Sequence, residues 1–355
     1  MLLFSAILFC MTACKKSGTD NNTPAPVPYT KIEYTGATYF SEARYSLAAA
    51  AAGNKIVFAG GEPAPKVASK TVDIYDVSTN AWATAQLSEG RFLFSAAAAG
   101  NKIIFAGGYN GTGYSKTADI YDVSANTWTT TQLSETRSST AAAATGNKIV
   151  FAGGYNGTVA TKTVDIYDVS TNTWTNVQLS EARYNFSAAA AGNKIVFAGG
   201  YTGLTATKTV DIYDVSANAW TTAQLSEARY YLSAAAAGNK IVFAGGLQAP
   251  GTASKTVDIY DVSTNAWTTT QLSEARGYLA AAASGNKIVF GGGNAALGYS
   301  KTADIYDVST NTWTTTLLGE ARGLLSAAAA GNKIMFAGGQ SAASSKTVDI
   351  FTLSK

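Results

Sequence analysis

The chain contains no histidine and almost no cysteine, and these absences narrow the chemistry open to it. None of its 355 residues is histidine, and the two cysteines, Cys10 and Cys14, both lie near the amino terminus. Without imidazole the chain lacks the commonest metal ligand in proteins and the usual general base. The body of the chain also has no thiol nucleophile, disulfide or zinc–thiolate site. We therefore predict no metal and no cofactor.

Charge is also scarce. Only 14% of the residues are charged, and 26 Lys and Arg against 23 Asp and Glu leave a formal net charge of +3. Such a small surplus does not indicate a surface for nucleic acid, whose binding rests on many phosphate contacts. The 46% of hydrophobic residues indicates instead a packed globular protein.

The first residues are typical of an export signal. An apolar run from Leu2 to Met11 is too short to span a bilayer as a helix but fits the core of a signal peptide. The run ends in the letters MTAC, which resemble a bacterial lipobox and imply cleavage before Cys14 and lipid attachment to it. We predict a signal peptide over 1–13, a flexible tether over 14–28 and a location in the cell envelope, at the outer membrane or cell surface. A plain secretory signal with a chance cysteine is the alternative.

The rest of the chain is one unit repeated seven times, with a period of about 46 residues. Each repeat carries an arginine, then a glycine doublet after a Lys-Ile-hydrophobic-Phe segment, then an Asp-Ile-aromatic triplet. Six repeats also contain a tryptophan. The arginines of the chain all fall on this period: Arg44, Arg91, Arg137, Arg183, Arg229, Arg276 and Arg322.

Turn residues divide each repeat into four short strands. In the first repeat we predict strands over 46–52, 55–59, 71–77 and 82–87, with a two-residue hairpin turn at Gly53-Asn54. The small alanines of the first strand suit an innermost position, because strands converge at the axis of a radial array. Four antiparallel strands per unit, repeated seven times, predict an all-β seven-bladed β-propeller.

The repeat resembles the Kelch family. Its marks are the glycine doublet after a hydrophobic strand, then a tyrosine, then a tryptophan after six further residues, as from Tyr75 to Trp82. The resemblance covers about residues 30–355, and we predict a propeller domain over 29–355 that is a monomer. The final repeat lacks its tryptophan strand, and the segment Thr30–Glu42 stands where that strand is missing. We therefore expect the last blade to be closed by this N-terminal strand, with Tyr34 or Thr35 at the tryptophan position after a small register shift.

One face of the predicted disc is variable. The turns of the opposite face hardly change between repeats, whereas the loops after the glycine doublets and the residues after each arginine differ. Loops on a rigid scaffold commonly carry binding sites, although unconstrained loops also drift. The enrichment in aromatic residues favours binding of a protein segment or a glycan. The candidate loop residues are Tyr109, Tyr114, Tyr155, Tyr201 and Tyr299.

The seven arginines have two interpretations. In Kelch domains that bind acidic peptides, arginines just before the innermost strand contact the ligand carboxylates, and the resemblance implies the same role here. A guanidinium also suits carboxylates geometrically. However, a glutamate stands two residues before every arginine, from Glu42 to Glu320. These pairs could instead tie each blade to the next.

The leading prediction for function is a non-catalytic binding module with no catalytic residue. Catalysis needs a group that departs from the repeat, and few charged residues do so. One alternative is a metal-independent sialic-acid mutarotase or epimerase, an activity that the Kelch resemblance allows. The other is a structural surface spacer without a specific ligand. We expect the membrane to be contacted only through a lipid on Cys14.

Overall fold

The structure, a computed structural model, describes residues 29–249 and 252–355. These residues form a β-propeller of seven blades, each a sheet of four antiparallel strands. Within them no helix has the length and apolar character that crossing a bilayer requires. The predicted signal peptide, the tether and Cys14 lie outside the described residues.

The strands follow one another along the chain and radiate outward in each blade. Strand β1 (Lys31–Tyr39) comes first and belongs to the last blade. Blade 1 consists of β2 (Ala48–Ala52), β3 (Lys55–Ala59), β4 (Thr71–Asp76) and β5 (Ala81–Gln86). Blade 2 consists of β6 (Ser95–Ala99), β7 (Lys102–Ala106), β8 (Thr117–Asp122) and β9 (Thr127–Gln132). Blade 3 consists of β10 (Ala141–Thr145), β11 (Lys148–Ala152), β12 (Thr163–Asp168) and β13 (Thr173–Gln178).

The remaining blades repeat this order, and two of them carry a short extra hairpin. Blade 4 consists of β14 (Ser187–Ala191), β15 (Lys194–Ala198), β16 (Thr209–Asp214) and β17 (Ala219–Gln224). Blade 5 consists of β18 (Ser233–Ala237), β19 (Lys240–Ala244), the hairpin β20 (Leu247–Ala249) and β21 (Thr252–Ala253), β22 (Thr256–Asp261) and β23 (Ala266–Gln271). Blade 6 consists of β24 (Ala280–Ser284), β25 (Lys287–Gly291), the hairpin β26 (Asn294–Ala295) and β27 (Gly298–Tyr299), β28 (Thr302–Asp307) and β29 (Thr312–Leu317). Blade 7 consists of β30 (Ser326–Ala330), β31 (Lys333–Ala337), β32 (Thr347–Ser354) and β1.

The hydrophobic core lies between neighbouring blades. One buried cluster joins Ala143 and Val150 of blade 3 to Phe197 and Tyr213 of blade 4, with Trp220 packed against it. Each innermost strand contacts the innermost strand of the next blade, and β30 contacts β2, so the ring is continuous. Alanine suits these strands because a larger side chain would not fit where they converge.

The predicted strands are confirmed, with bounds that differ by one or two residues in three of the four: the third ends at Asp76 and not at Val77, and the fourth is Ala81–Gln86 and not 82–87. The second strand, Lys55–Ala59, has the predicted bounds, whereas the first begins at Ala48 and not at Ser46. Ser46 has a φ of 53°, which lies in the left-handed region and cannot continue a strand.

The predicted closure is also confirmed. Strand β1 pairs antiparallel with β32, and Tyr34 lies opposite Phe351 as Trp82 lies opposite Tyr75 in blade 1. The expected register shift is a β-bulge between Tyr34 and Gly36, where Gly36 has a φ of 121°. The closure removes an exposed sheet edge from blade 7.

Candidate functional site

Two sets of segments form one face of the disc, which we call the loop face. One set follows the arginines and the other follows the glycine doublets. Corresponding segments are joined by pairs of backbone hydrogen bonds, such as those between Phe92 and Tyr109 (3.0 and 2.8 Å) and between Tyr184 and Tyr201 (3.0 and 2.8 Å). Each blade therefore presents the residue after its arginine beside the residue after its doublet.

The seven arginines do not point into solvent. All of them have a relative exposure of 0%. Each guanidinium forms an ion pair with the aspartate of the third strand in the following blade: Asp73, Asp119, Asp165, Asp211, Asp258, Asp304 and Asp349. The expectation that the arginines contact an acidic ligand does not fit this geometry, because their side chains are covered by protein.

Each arginine instead joins two consecutive blades. The Arg137 side chain donates hydrogen bonds to the carbonyl oxygens of Gly153 and Thr163, at 2.8 and 2.5 Å, in blade 3. Its own carbonyl oxygen accepts a hydrogen bond from Gly108 of blade 2 at 2.8 Å. Burial lowers the pKa of Arg137, and the carboxylate of Asp165 opposes that shift. This geometry favours the structural interpretation of the arginines over the ligand-facing one.

The predicted glutamate–arginine pairs form only a looser, secondary part of this joint, with distances of 3.6 to 4.0 Å at Glu42, Glu227, Glu274 and Glu320. Glu320 lies 3.7 Å from Arg322, well beyond the 2.5 Å that separates Arg322 from Asp349. Their main partners are hydroxyl groups, since Glu320 accepts a hydrogen bond from Ser345 at 2.7 Å. The closest ion pair of each arginine is thus with the aspartate, which the sequence analysis did not pair with it. The glutamates secure the ends of the doublet loops.

A closed ring of backbone hydrogen bonds surrounds the propeller axis on the loop face. It runs through the second residue after each arginine, with N–O distances of 2.8 to 3.2 Å and φ angles of 51 to 55°. The ring residues are Ser46, Leu93, Ser139, Asn185, Tyr231, Tyr278 and Leu324. Left-handed backbone at a residue other than glycine costs roughly 1 kcal/mol or more. The hydrogen bonds and the packing around the ring offset this cost, and the ring frames an axial cavity of about 310 Å³.

A continuous arc of aromatic rings crosses the loop face from blade 2 to blade 6. Successive rings lie 4.0 to 5.7 Å apart between centroids. We call this set the aromatic arc: Phe92, Tyr109, Tyr114, Tyr155, Tyr184, Tyr201, Tyr230, Tyr231 and Tyr278. Burial, and then the neighbouring Tyr201, raise the pKa of Tyr184. Its hydroxyl therefore stays protonated at neutral pH and can donate a hydrogen bond.

The structure brings four of the five candidate tyrosines together in this arc and leaves one apart. Tyr299 lies on β27 and is 40% exposed, beside Gly323. The candidates omitted five members of the arc, all of which stand one or two positions after an arginine: Phe92, Tyr184, Tyr230, Tyr231 and Tyr278. Searching the two positions after each arginine for aromatic residues would have identified them.

Exposed aliphatic side chains stand around the arc at the tips of the doublet loops. They are Val67, Val159, Leu204 and Leu297, with exposures of 52%, 57%, 91% and 103%. Val159 and Leu204 line a groove of about 330 Å³ together with Tyr155 and Tyr184 of the arc. The face therefore offers aromatic and aliphatic surface to a partner.

Metal-binding groups are not brought together on this face. Throughout residues 29–249 and 252–355, no three side chains of His, Cys, Asp or Glu come close enough to hold a metal ion. In blades 1 to 6 the aspartate at the end of the third strand accepts hydrogen bonds from the turn that follows; Asp76, for example, accepts one from the Ser78 amide at 2.8 Å and pairs with Lys55 at 2.7 Å.

Comparison with known proteins agrees with this architecture. The family model described as KLHDC2/KLHL20/DRC7 Kelch-repeats domain matches residues 29–200. The model described as Kelch motif matches residues 182–224, 228–270 and 275–315. No curated protein matches the chain significantly.

Proposed function

The chain belongs to the Kelch-repeat family, and from this premise we propose that it is a protein-binding propeller that recognises an extended segment of a partner across the aromatic arc. Kelch propellers typically serve as protein-binding scaffolds without catalytic activity. The observation that carries the proposal is the arc itself, which covers blades 2 to 6 and is not repeated around the whole ring.

The composition of the arc suits protein recognition. Tyrosine offers a large rigid surface and a hydroxyl group at a low cost in conformational entropy. The exposed Leu204 and Val159 add apolar surface next to the arc, and contiguous exposed apolar surface marks interaction sites. The arginines lie beneath this surface and support it, so the proposed contact does not depend on guanidinium groups.

A peptide selection tests this proposal. Random peptides displayed on phage are selected on the purified chain, and the affinities of the enriched peptides are measured by calorimetry. We expect Tyr184→Ala and Tyr201→Ala each to weaken binding by about tenfold or more, as for central aromatic residues of interfaces. Tyr39→Ala is the matched control, because Tyr39 is 62% exposed on the closing strand outside the arc.

Two results would contradict the proposal. One is a selection that enriches no peptide, which would favour a spacer without a specific ligand. The other is a set of peptides that bind Tyr184→Ala and Tyr201→Ala as tightly as Tyr39→Ala. Thermal melting of each variant shows whether a loss of binding reflects a loss of fold.

A glycan is the second candidate ligand, because exposed tyrosine rings also suit the apolar faces of sugars. The loop asparagines weaken this alternative, since Asn110 and Asn156 already accept hydrogen bonds from their own loops. Saturation-transfer NMR with neutral sugars and sialic acid tests it. Transfer to a sugar would favour glycan binding, and accelerated anomer exchange would favour the mutarotase. The absence of transfer to any sugar would favour the protein partner.

We also propose that the propeller is attached to a bacterial envelope through a lipid on Cys14. The support is the sequence alone, namely the short apolar run and the small residues before the cysteine. Cys14→Ala should move the chain from the membrane fraction to the soluble fraction on cell fractionation. Retention of that variant in membranes would count against the lipid.

A further inference from the structure

One blade departs from the others in charge at the centre of the loop face. The residues directly after the glycine doublets are Glu62, Tyr109, Tyr155, Tyr201, Leu247, Asn294 and Gln340. Glu62 is the one acidic residue among them, and it is only 9% exposed. It forms no ion pair with any residue in the described ranges. A carboxylate buried without a cation is costly, and a bound cation would remove that cost.

The Glu62 carboxylate is held in place by its own loop. The backbone N–H of Lys66 donates a hydrogen bond to its Oε1 atom. Burial, and then the negative charge of Glu62, raise the pKa of Tyr45 to about 12. The carboxylate is therefore fixed beside Tyr45 on one side and faces blade 2 on the other, where it lines a small cavity.

Aromatic rings form the opposite walls of this cavity. Phe92 meets Tyr109 at 5.5 Å with an interplanar angle of 64°, and Tyr109 meets Tyr114 at 5.3 Å and 73°. The three rings and Glu62 line a volume of about 270 Å³. This is smaller than the usual site for a drug-sized ligand and suits a single side chain. Aromatic rings that line a cavity together with a carboxylate offer an organic cation both π surface and a counter-charge.

We propose that this cavity, walled by Glu62, Phe92, Tyr109 and Tyr114, binds the cationic end of a lysine side chain from the partner segment. The inference rests on the proposed function and deepens it, because it assigns a chemical group to one end of the aromatic arc. Glu62 supplies the counter-charge and the three rings supply cation–π contacts. The aliphatic stem of the lysine would pack against Leu93, which also lines the cavity.

The positive charge of Lys66 in the same cavity allows a test of whether the ligand is a cation or an anion. Lys66 lines the same cavity, is exposed, and forms no ion pair or cation–π contact within the part of the chain that the structure describes. A cationic ligand is repelled by Lys66 and attracted by Glu62, whereas an anionic ligand experiences the reverse. Neutralising each residue in turn should therefore change the affinity in opposite directions.

A small-molecule titration tests the site directly. Tetramethylammonium is added to the purified chain labelled in its tyrosine and phenylalanine rings, and NMR follows the signals of Phe92, Tyr109 and Tyr114. The neutral control is tert-butanol, which has a similar size. We expect saturable shifts with tetramethylammonium alone, and an affinity that falls about tenfold in Glu62→Gln, in line with desolvated cation–π and charge contacts. Lys66→Gln should raise the affinity about twofold to threefold.

The same variants are then measured with the peptides that the phage selection enriches. Peptides containing lysine should lose about tenfold in affinity in Glu62→Gln, and acetylation of that lysine should have the same effect. Glu62→Gln keeps an oxygen for the Lys66 amide, so the loop retains its hydrogen bond. Gln340→Glu is the matched control, because it places a carboxylate at the corresponding position of blade 7, opposite Gly323 and outside the cavity that Glu62 lines.

Three outcomes would overturn the inference: equal shifts with tert-butanol, an unchanged affinity for tetramethylammonium in Glu62→Gln, or weaker binding in Lys66→Gln. If Glu62→Gln unfolds the loop, the titration is repeated with Tyr114→Leu, which removes one of the three rings and should likewise lower the affinity for tetramethylammonium. Peptides that depend on Tyr184 and Tyr201 but not on Glu62 would contradict the lysine site and leave the proposed function intact. Binding of tetramethylammonium without any enriched peptide would support the site and contradict the proposed function.

Discussion

Replacing Arg137 by methionine should weaken the joint between blades 2 and 3 and lower the free energy of unfolding. The Arg137 guanidinium pairs with Asp165 and donates to the carbonyl oxygens of Gly153 and Thr163, and its exposure is 0%. Methionine fills a similar volume without charge or donors. The change therefore leaves the buried Asp165 carboxylate without its cation and the Gly153 carbonyl without its donor, whereas the Thr163 carbonyl keeps the hydrogen bond from the Gly153 amide at 2.9 Å.

The size of the effect follows from this burial. Removing one member of a buried ion pair costs about 3–5 kcal/mol, because the remaining charge stays desolvated. The orphaned Gly153 carbonyl adds about 1 kcal/mol. Asp165 keeps its hydrogen bond from the Ser134 amide, at 3.1 Å, which moderates the loss. We expect the free energy of unfolding, measured by urea titration, to fall by about 4 kcal/mol.

Lys148→Met is the matched control. Lys148 pairs with Asp168 at 2.7 Å on the opposite face, but the two side chains remain 29% and 19% exposed. Ion pairs of this kind contribute about 1 kcal/mol or less. Equal losses in Arg137→Met and Lys148→Met would refute the structural role of the arginines. A stable Arg137→Met variant that no longer binds a selected peptide would show instead that the arginine faces the ligand.

Further predictions concern the closure, the crowded glycines and the buried tyrosines. Deleting residues 31–39 removes the strand that pairs with β32 and should lower the melting temperature sharply; an unchanged calorimetric transition would contradict the closure. Gly153→Ala would place a Cβ atom 2.5 Å from the carbonyl oxygen of Arg183 and should cost about 2–3 kcal/mol in urea titrations, whereas Gly113→Ala meets no atom within 4 Å and should be nearly neutral. Because the pKa of Tyr45 is raised to about 12 in the folded chain, its protonated form stabilises the fold below about pH 10 and this contribution is lost as the pH rises toward 12. Tyr45→Phe should therefore lose less stability than the natural chain between those pH values, and equal losses would refute the shift.

The propeller could be predicted because its signals recur at every turn of the repeat. The hairpin turns, the hydrophobic second strand and the tyrosine–tryptophan pair stand at the same places in blade after blade. An error at one position of one repeat is therefore corrected by comparison with the other repeats. The closure was predictable for a different reason. A repeat that lacks its outer strand needs another segment to cover the edge, and Tyr34 supplied an aromatic residue opposite Phe351.

The direction of the arginine side chains could not be read from the repeat. Both interpretations required an arginine at the same position, and the choice depended on whether Asp165 or Glu135 lay within reach of Arg137. Strand pairing places Asp165 opposite Phe151, deep in the blade, and this distance becomes visible only in three dimensions. The arginine pairs with the buried aspartate and not with the partly exposed glutamate, because a buried carboxylate needs a cation beside it.

The hydrogen-bonded ring around the axis was also beyond prediction. Its left-handed backbone is occupied by residues as different as Ser46, Leu93 and Tyr278, and none of them is glycine. The conformation is imposed by the closed set of bonds between neighbouring blades and not by local preference. The aromatic arc shares this origin, because rings of different blades, such as Tyr155 and Tyr184 or Tyr231 and Tyr278, meet only after the blades have packed together.

The measurement that tests the central claim most directly is hydrogen exchange of the chain, alone and saturated with the tightest selected peptide. The account predicts slower exchange in the loops around Tyr109, Tyr155 and Tyr201, which carry the aromatic arc, and unchanged exchange in the turns around Asn80 and Asn172 on the opposite face. Protection confined to those turns, or spread equally over all seven blades, would contradict recognition through the aromatic arc.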